Sequence, residues 1–168
     1  KIYQDFERGG ANLDEEGKTS IRNIDEKLSM LTLEFGNNLL AEINGYQMVI
    51  GDEADLAGLP QSVRSAASDA ASAAGLNGKW LFTLHKPSWI PFLQYSEKRE
   101  LREELYKAMY MCGNNENKFD NKAIIQEIIG LRLERARLLG YETHADYMLA
   151  DRMAKEPANV YNLLMTIW

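Results

Sequence analysis

The sequence predicts a mainly α fold, a multi-helical assembly with one small β-hairpin or ribbon. Three observations lead there. Apolar residues recur at spacings of three and four along most of the chain. Only two short stretches, YQMVI (46–50) and WLFTL (80–84), are β-capable. Glycines and prolines stand where the periodic runs end. The 168 residues suffice for a real core, and residues 1–168 read as a single helical region without internal repeat or linker. With 45% hydrophobic and 26% charged residues, the composition is globular rather than disordered.

The first twenty residues, with paired Gly9 and Gly10 and a turn-rich Asn12–Gly17, read as a loop or short helix. From about Thr19 to Asn44, Ile21, Ile24, Leu28, Leu31, Phe35, Leu39 and Ile43 mark one face of a long amphipathic helix that Gly45 stops. YQMVI follows as a strand, and GDEADLAGLP as a polar loop ending at Pro60. QSVRSAASDAASAAGLNG is rich in Ala and Ser. Low-complexity disorder is one reading of it, but alanine's helix propensity and small side chains favour a closely packed helix that Gly75 and Gly78 close.

WLFTL reads as the second strand, able to pair with YQMVI. Pro87 and Pro91 are expected to break the chain, with a helix from Ser88 or Pro91 to Met111 in which Glu103 and Lys107 pair at i,i+4. CGNNENKF is a loop, and DNKAIIQEIIGLRLERARLLGY (120–141) is a helix opened by Asp120 or Asn121 and closed by Gly140. ETHADYMLADRMA is a helix capped by Thr143, and a last helix starts around Pro157.

On a helical wheel the apolar residues of 123–139 cover well over half the circumference, which predicts burial on more than one side. Glu127, Glu134 and Arg137 occupy the polar remainder, while Arg132 and Arg135 fall inside the apolar arc. Three readings stay open for these two arginines. They snorkel to water, they pair with carboxylates of a neighbouring helix, or they clamp a substrate carboxylate.

The net charge of −6, with basic residues interspersed among acids, argues against nucleic acid or an anionic membrane as partner. No apolar run approaches the ~20 residues of a membrane span, and no signal peptide opens the chain. The lone Cys112 allows no internal disulfide, fits a reducing compartment best, and reads as a helix-end residue beside Gly113. His85 and His144, the only histidines, stand far apart and outside any HExxH. GxSxG, GxxxxGK[ST] and GxGxxG are all absent, and no isolated carboxylate pair suggests acid–base work. A start at Lys1 and an end at Trp168 in mid-pattern suggest a fragment.

Four segments, taken in order, resemble the thimet-oligopeptidase-like zinc metallopeptidases and are most similar to the bacterial peptidyl-dipeptidases, also called dipeptidyl carboxypeptidases. They are DFERGGANLDEEGKTSIRNIDEKLSMLTLEFGNNLLAE, DEADLAGLPQSVRSAA, GLNGKWLFTLHKPSWIPFLQYSEKRELREELYKAM and DNKAIIQEIIGLRLERARLLGYETHADYMLADRMAKEPANVYNLL. The elements LAGLP, GKW, DN…LR and LLGY…A…MA…P carry the likeness. The resemblance implies a large, two-lobed helical shell around a deep channel. It also implies a zinc ion held by two histidines of HExxH and a later glutamate, whose chemistry removes dipeptides from peptide C-termini. In that family the zinc motif lies C-terminal to the matched region, so no catalytic, cofactor-binding or metal-binding residue is assigned to any position here.

The expectation is therefore a shell and channel-wall segment from the N-terminal half of a zinc peptidase, inactive alone. Zinc would belong to the parent enzyme and none would be bound by this chain. Its partners would be peptide substrates and the remainder of the peptidase chain, with no nucleic acid and no membrane, in the cytoplasm or alternatively the periplasm. The competing reading is a freestanding helical interaction module that has lost catalysis. A metal enzyme built on His85 and His144 is a third.

Overall fold

The computed structural model describes residues 2–168, apart from the side chain of Gln4. The mainly α expectation holds: eight α-helices and one two-stranded sheet are present among these residues. The helices are α1 (Ile2–Arg8), α2 (Glu15–Gly45), α3 (Gln61–Ala73), α4 (Lys86–Tyr95), α5 (Arg99–Tyr110), α6 (Lys122–Leu138), α7 (His144–Leu149) and α8 (Pro157–Ile167), with strands β1 (Met48–Ile50) and β2 (Trp80–Phe82). The chain divides into two compact units, residues 35–122 and residues 1–34 with 123–168.

In the unit of residues 35–122, β1 and β2 pair antiparallel with Met48 opposite Phe82 and Ile50 opposite Trp80. The pair is a ribbon rather than a tight hairpin, because α3 is inserted between the strands. Met48 and Ile50 point inward and Val49 outward, the alternation of a half-buried strand. Ala67 and Ala71 are buried on α3, so the Ala/Ser-rich stretch is a packed helix whose small side chains permit close approach. Phe82 and Phe92 meet edge to face at 4.6 Å between centroids and, with Leu56, Leu59, Leu84 and Leu105, fill the core.

The prolines do not break the chain where expected. Pro87 sits in the first turn of α4 and Pro91 lies inside that helix. Pro91 forfeits only the bond to the Pro87 carbonyl, while the neighbouring Phe92 is fully buried. The interruption comes at Ser96–Lys98, so the helix expected to reach Met111 is two, α4 and α5. Tertiary bonds stop α4. The Glu97 N–H donates to the Ala57 carbonyl at 2.9 Å, Arg102 donates to the Ser96 carbonyl, and Lys98 pairs with Asp55 at 3.0 Å.

In the other unit, Ile21 and Ile24 of α2 and Ile124, Ile128, Leu131 and Ala136 of α6 are buried. The predicted burial of α6 on more than one side is not observed, since Ile125 and Ile129 of its wide apolar arc are exposed. The ends of α6 are as expected: Asp120 accepts from the Lys122 N–H at 2.9 Å, and Gly140 takes φ +84°. The Tyr141 N–H then reaches the Ala136 carbonyl at 2.9 Å, a Schellman closure that needs a left-handed residue at Gly140. Thr143 caps α7 through a reciprocal box with Asp146, but α7 ends at Leu149 rather than running through the Asp151–Ala154 stretch.

Candidate functional site

A concavity of about 650 Å³ lies in the unit of residues 1–34 and 123–168. Its wall comes from the α1–α2 connection, the Leu138–Tyr141 end of α6 and the segment joining α7 to α8. Arg8 and Lys155 bring positive charge to it, Glu7 and Asp151 negative. Arg8 is already committed. Its Nη2 donates to the Tyr147 carbonyl at 2.8 Å and lies 3.5 Å from Asp151 Oδ1, while its guanidinium sits 4.3 Å from the Tyr147 ring centre.

Arg135 is placed against the same ring, at 5.0 Å, and its Nε donates to Asp25 Oδ1 on α2 at 2.6 Å. Of the three readings of the α6 arginines, the interhelical pair therefore describes Arg135, whereas Arg132 is exposed. With both Arg8 and Arg135 neutralised by carboxylates, neither is a free clamp for a substrate carboxylate. Tyr147 and Asp25 had no signal in the sequence. Arg8 contacts Tyr147 across 139 residues and Arg135 meets Asp25 across 110, separations that no local pattern encodes.

His144, the first residue of α7, stands beside Tyr147 with ring centres 6.2 Å apart. Burial, followed by the charges of Arg132 and Arg135, holds its pKa below the usual histidine value, and Nδ1 is buried without a hydrogen-bond partner among the described residues. His85 is exposed at the N-cap position of α4 in the other unit, where its side chain makes no capping bond.

The family resemblance implies a zinc ion. Among the described residues no group of three or more His, Cys, Asp and Glu side chains is placed to hold a metal ion, so the residues present do not fit a zinc site.

In the unit of residues 35–122, polar groups converge on Glu42 of α2. Its carboxylate accepts from the Gly113 N–H, from Asn115 Nδ2 at 3.0 Å and from Asn117 Nδ2 at 2.6 Å. Burial pushes the Glu42 carboxyl up, but these donors outweigh it and hold the group below the ordinary carboxylate value. Asn121, fully buried, donates to the Phe35 carbonyl at 3.2 Å and accepts from Asn38 at 2.9 Å. The CGNNENKF segment is thus a loop fastened to α2 rather than a free one. Cys112 lies at the end of α5 as expected, and burial raises its thiol pKa, with the Glu42 charge adding to the effect.

The LAGLP element is equally structural. Leu56 and Leu59 are core residues, and Arg64 donates to both of their carbonyls at 3.0 Å. Gly58 has φ +84°, and a Cβ there would collide with the Tyr95 carbonyl oxygen. What these arrangements can do chemically is hold backbone in place. They bring together no nucleophile, base and electrophile.

The model of peptidase family M3 matches residues 92–167 of this chain. Relatives along nearly the whole chain include oligopeptidase A of Haemophilus influenzae, 41% identical over 96% of this chain and 24% of its own length. Oligopeptidase A of Escherichia coli is 39% identical over the same shares. Dipeptidyl carboxypeptidase of E. coli is 32% identical over 99% of this chain and 24% of its own length. The family expectation thus stands, while identity is higher to oligopeptidase A than to the dipeptidyl carboxypeptidase branch that the motifs suggested. The chain spans about a quarter of the length of these curated relatives.

Proposed function

We propose that this chain is a scaffold and channel-wall segment of a zinc-dependent peptidase that hydrolyses oligopeptides, with the catalytic zinc site on another part of the same enzyme. The observation that carries the reading is its 41% identity along 96% of the chain to a protein four times its length, combined with motifs that serve backbone positioning. Peptides would be the substrate, and the rest of the enzyme the intramolecular partner of the exposed apolar faces. The absence of any helix among the described residues able to cross a membrane accords with a cytoplasmic enzyme.

Within the family, the higher identity to oligopeptidase A favours cleavage of oligopeptides at internal bonds over stepwise removal of C-terminal dipeptides. The test compares the isolated chain with a complete enzyme that contains it, both supplied with zinc and unstructured peptides. The complete enzyme should release internal fragments and lose activity to a chelator, while the isolated chain should not hydrolyse peptide. Products consisting only of C-terminal dipeptides would restore the peptidyl-dipeptidase reading. Hydrolysis by the isolated chain with stoichiometric zinc would overturn the scaffold role.

A further inference from the structure

Two Asn–Gly pairs occur in the chain, Asn44–Gly45 and Asn77–Gly78. In such a pair the backbone nitrogen of the glycine can attack the asparagine Cγ, because no side chain hinders its approach. The new N–C bond closes a five-membered succinimide and the amide nitrogen leaves as ammonia. Water then opens the ring at either carbonyl, giving aspartate or, with the backbone rerouted through the side chain, isoaspartate. The reaction requires a glycine N–H that is not held in a hydrogen bond and a backbone free to bring nitrogen and Cγ together.

The two sites differ in these requirements. Gly45 closes the 31-residue α2, and the helical pattern continues past it, with the Tyr46 N–H donating to the Glu42 carbonyl at 3.1 Å. Attack at Asn44 needs that last turn to open. Asn77 and Gly78 instead occupy the two corners of a turn closed by one bond, Lys79 N–H to the Leu76 carbonyl at 3.2 Å. Gly78 takes φ +76°, the left-handed corner of a type II turn. Among the described residues neither the Gly78 N–H nor the Asn77 side chain has a hydrogen-bond partner. Both residues are exposed, and nothing lies within 4 Å of where a Gly78 Cβ would be.

We infer that Asn77 is the self-modifying position of this chain, converting to aspartate and isoaspartate, while the chemically identical pair at Asn44 is protected by α2. The product has a structural consequence. The turn feeds β2 directly, with Trp80 opposite Ile50 in the ladder, so an extra backbone carbon at position 77 falls just ahead of the first pair of the ribbon. A new negative charge also appears two residues from Lys79.

The experiment is to age the full chain in mildly alkaline buffer, native and in denaturant. Each site is then quantified by peptide mass, ammonia being lost and water gained, and by enzymatic methylation of isoaspartate. In the native chain Asn77 should convert at least about tenfold faster than Asn44, which corresponds to about 1.4 kcal/mol of additional local opening at the helix end. In denaturant the two rates should converge, and Asn77→Ser should abolish the dominant product. Equal native rates, or faster conversion at Asn44, would overturn the assignment. So would a tenfold difference that persists in denaturant, since it would then reflect sequence rather than fold.

Discussion

Gly58 shows how much a single residue decides here. At φ +84° it pays the least of any residue for a left-handed backbone, and it lets the Tyr95–Glu97 segment come within contact of the LAGLP turn. Gly58→Ala should lower stability by about 2–5 kcal/mol, through left-handed strain plus a collision that backbone cannot easily relieve. Gly130, inside α6 with nothing within 4 Å of where a Cβ would stand, is the contrast. Gly130→Ala should raise stability by about 0.5–1 kcal/mol. Thermal unfolding of both variants reads the difference, and equal midpoints would mean that the close approach at Gly58 is not present in solution.

Glu42 gives a second test at this scale. Its carboxyl pKa lies below the usual 4.5, so the folded state is favoured by the charged form. That contribution is complete above the unfolded pKa and is lost as pH falls through the folded one. Acid unfolding profiles should therefore lose stability below about pH 4.5, and Glu42→Gln should flatten that limb while lowering stability at neutral pH. Asp120, whose own pKa is lowered first by the Lys122 N–H and then by its side chain, adds a contribution that is lost only at lower pH, below its usual 3.8. A Glu42→Gln profile parallel to that of the parent chain would remove Glu42 from the acid response.

At the scale of elements, α6 separates what a pattern can tell from what it cannot. Its position and its caps were legible, because Asp120 and Gly140 act locally on backbone groups within a few residues. The wheel could not tell which side of a wide apolar arc is covered, because coverage depends on neighbours rather than on period. Ile128 is 9% exposed and its neighbour Ile129 is 61% exposed. Ile128→Ala should accordingly cost about 2–4 kcal/mol and Ile129→Ala less than about 0.5 kcal/mol. Similar losses from both would show α6 covered on both sides.

The α4–α5 junction was missed for the converse reason. Proline is the strongest local breaker, so Pro87 and Pro91 read as breaks, yet the first turn of a helix tolerates one and a buried Phe92 outweighs the other. The true break depends on the Glu97 N–H finding the Ala57 carbonyl, far earlier in the chain. The paired strands were legible from composition, and their closure through α3 followed from the chain order.

At the scale of the whole molecule, the boundaries between the two units fall inside α2 and at the first residues of α6. No glycine run, proline or change of composition marks the boundary inside α2, so nothing in the sequence signals it, whereas the other follows the Asn-rich CGNNENKF loop. The candidate site was illegible for a related reason, since Arg8 reaches Tyr147 and Arg135 reaches Asp25 across more than a hundred residues.

The C-terminal helix presents the opposite case, a local pattern whose meaning lies outside the element. In α8, Tyr161, Leu163, Leu164, Met165 and Ile167 are all exposed and no residue is buried, while Asn159, Asn162 and Thr166 share the single polar sector beside this wide apolar face. A wide apolar face left uncovered is a surface made for enclosure. Alone, the chain should self-associate with rising concentration, and sedimentation should show its weight-average mass climbing. Replacing Leu163 and Ile167 together by serine should reduce that association while leaving the unfolding midpoint nearly unchanged, because neither side chain is buried within this chain. In a complete enzyme of the proposed kind the same pair of substitutions should instead lower stability, by about 2–4 kcal/mol for each side chain that becomes enclosed. A chain that stays monomeric at every concentration, or a complete enzyme indifferent to the substitutions, would count against α8 as a surface made to be covered.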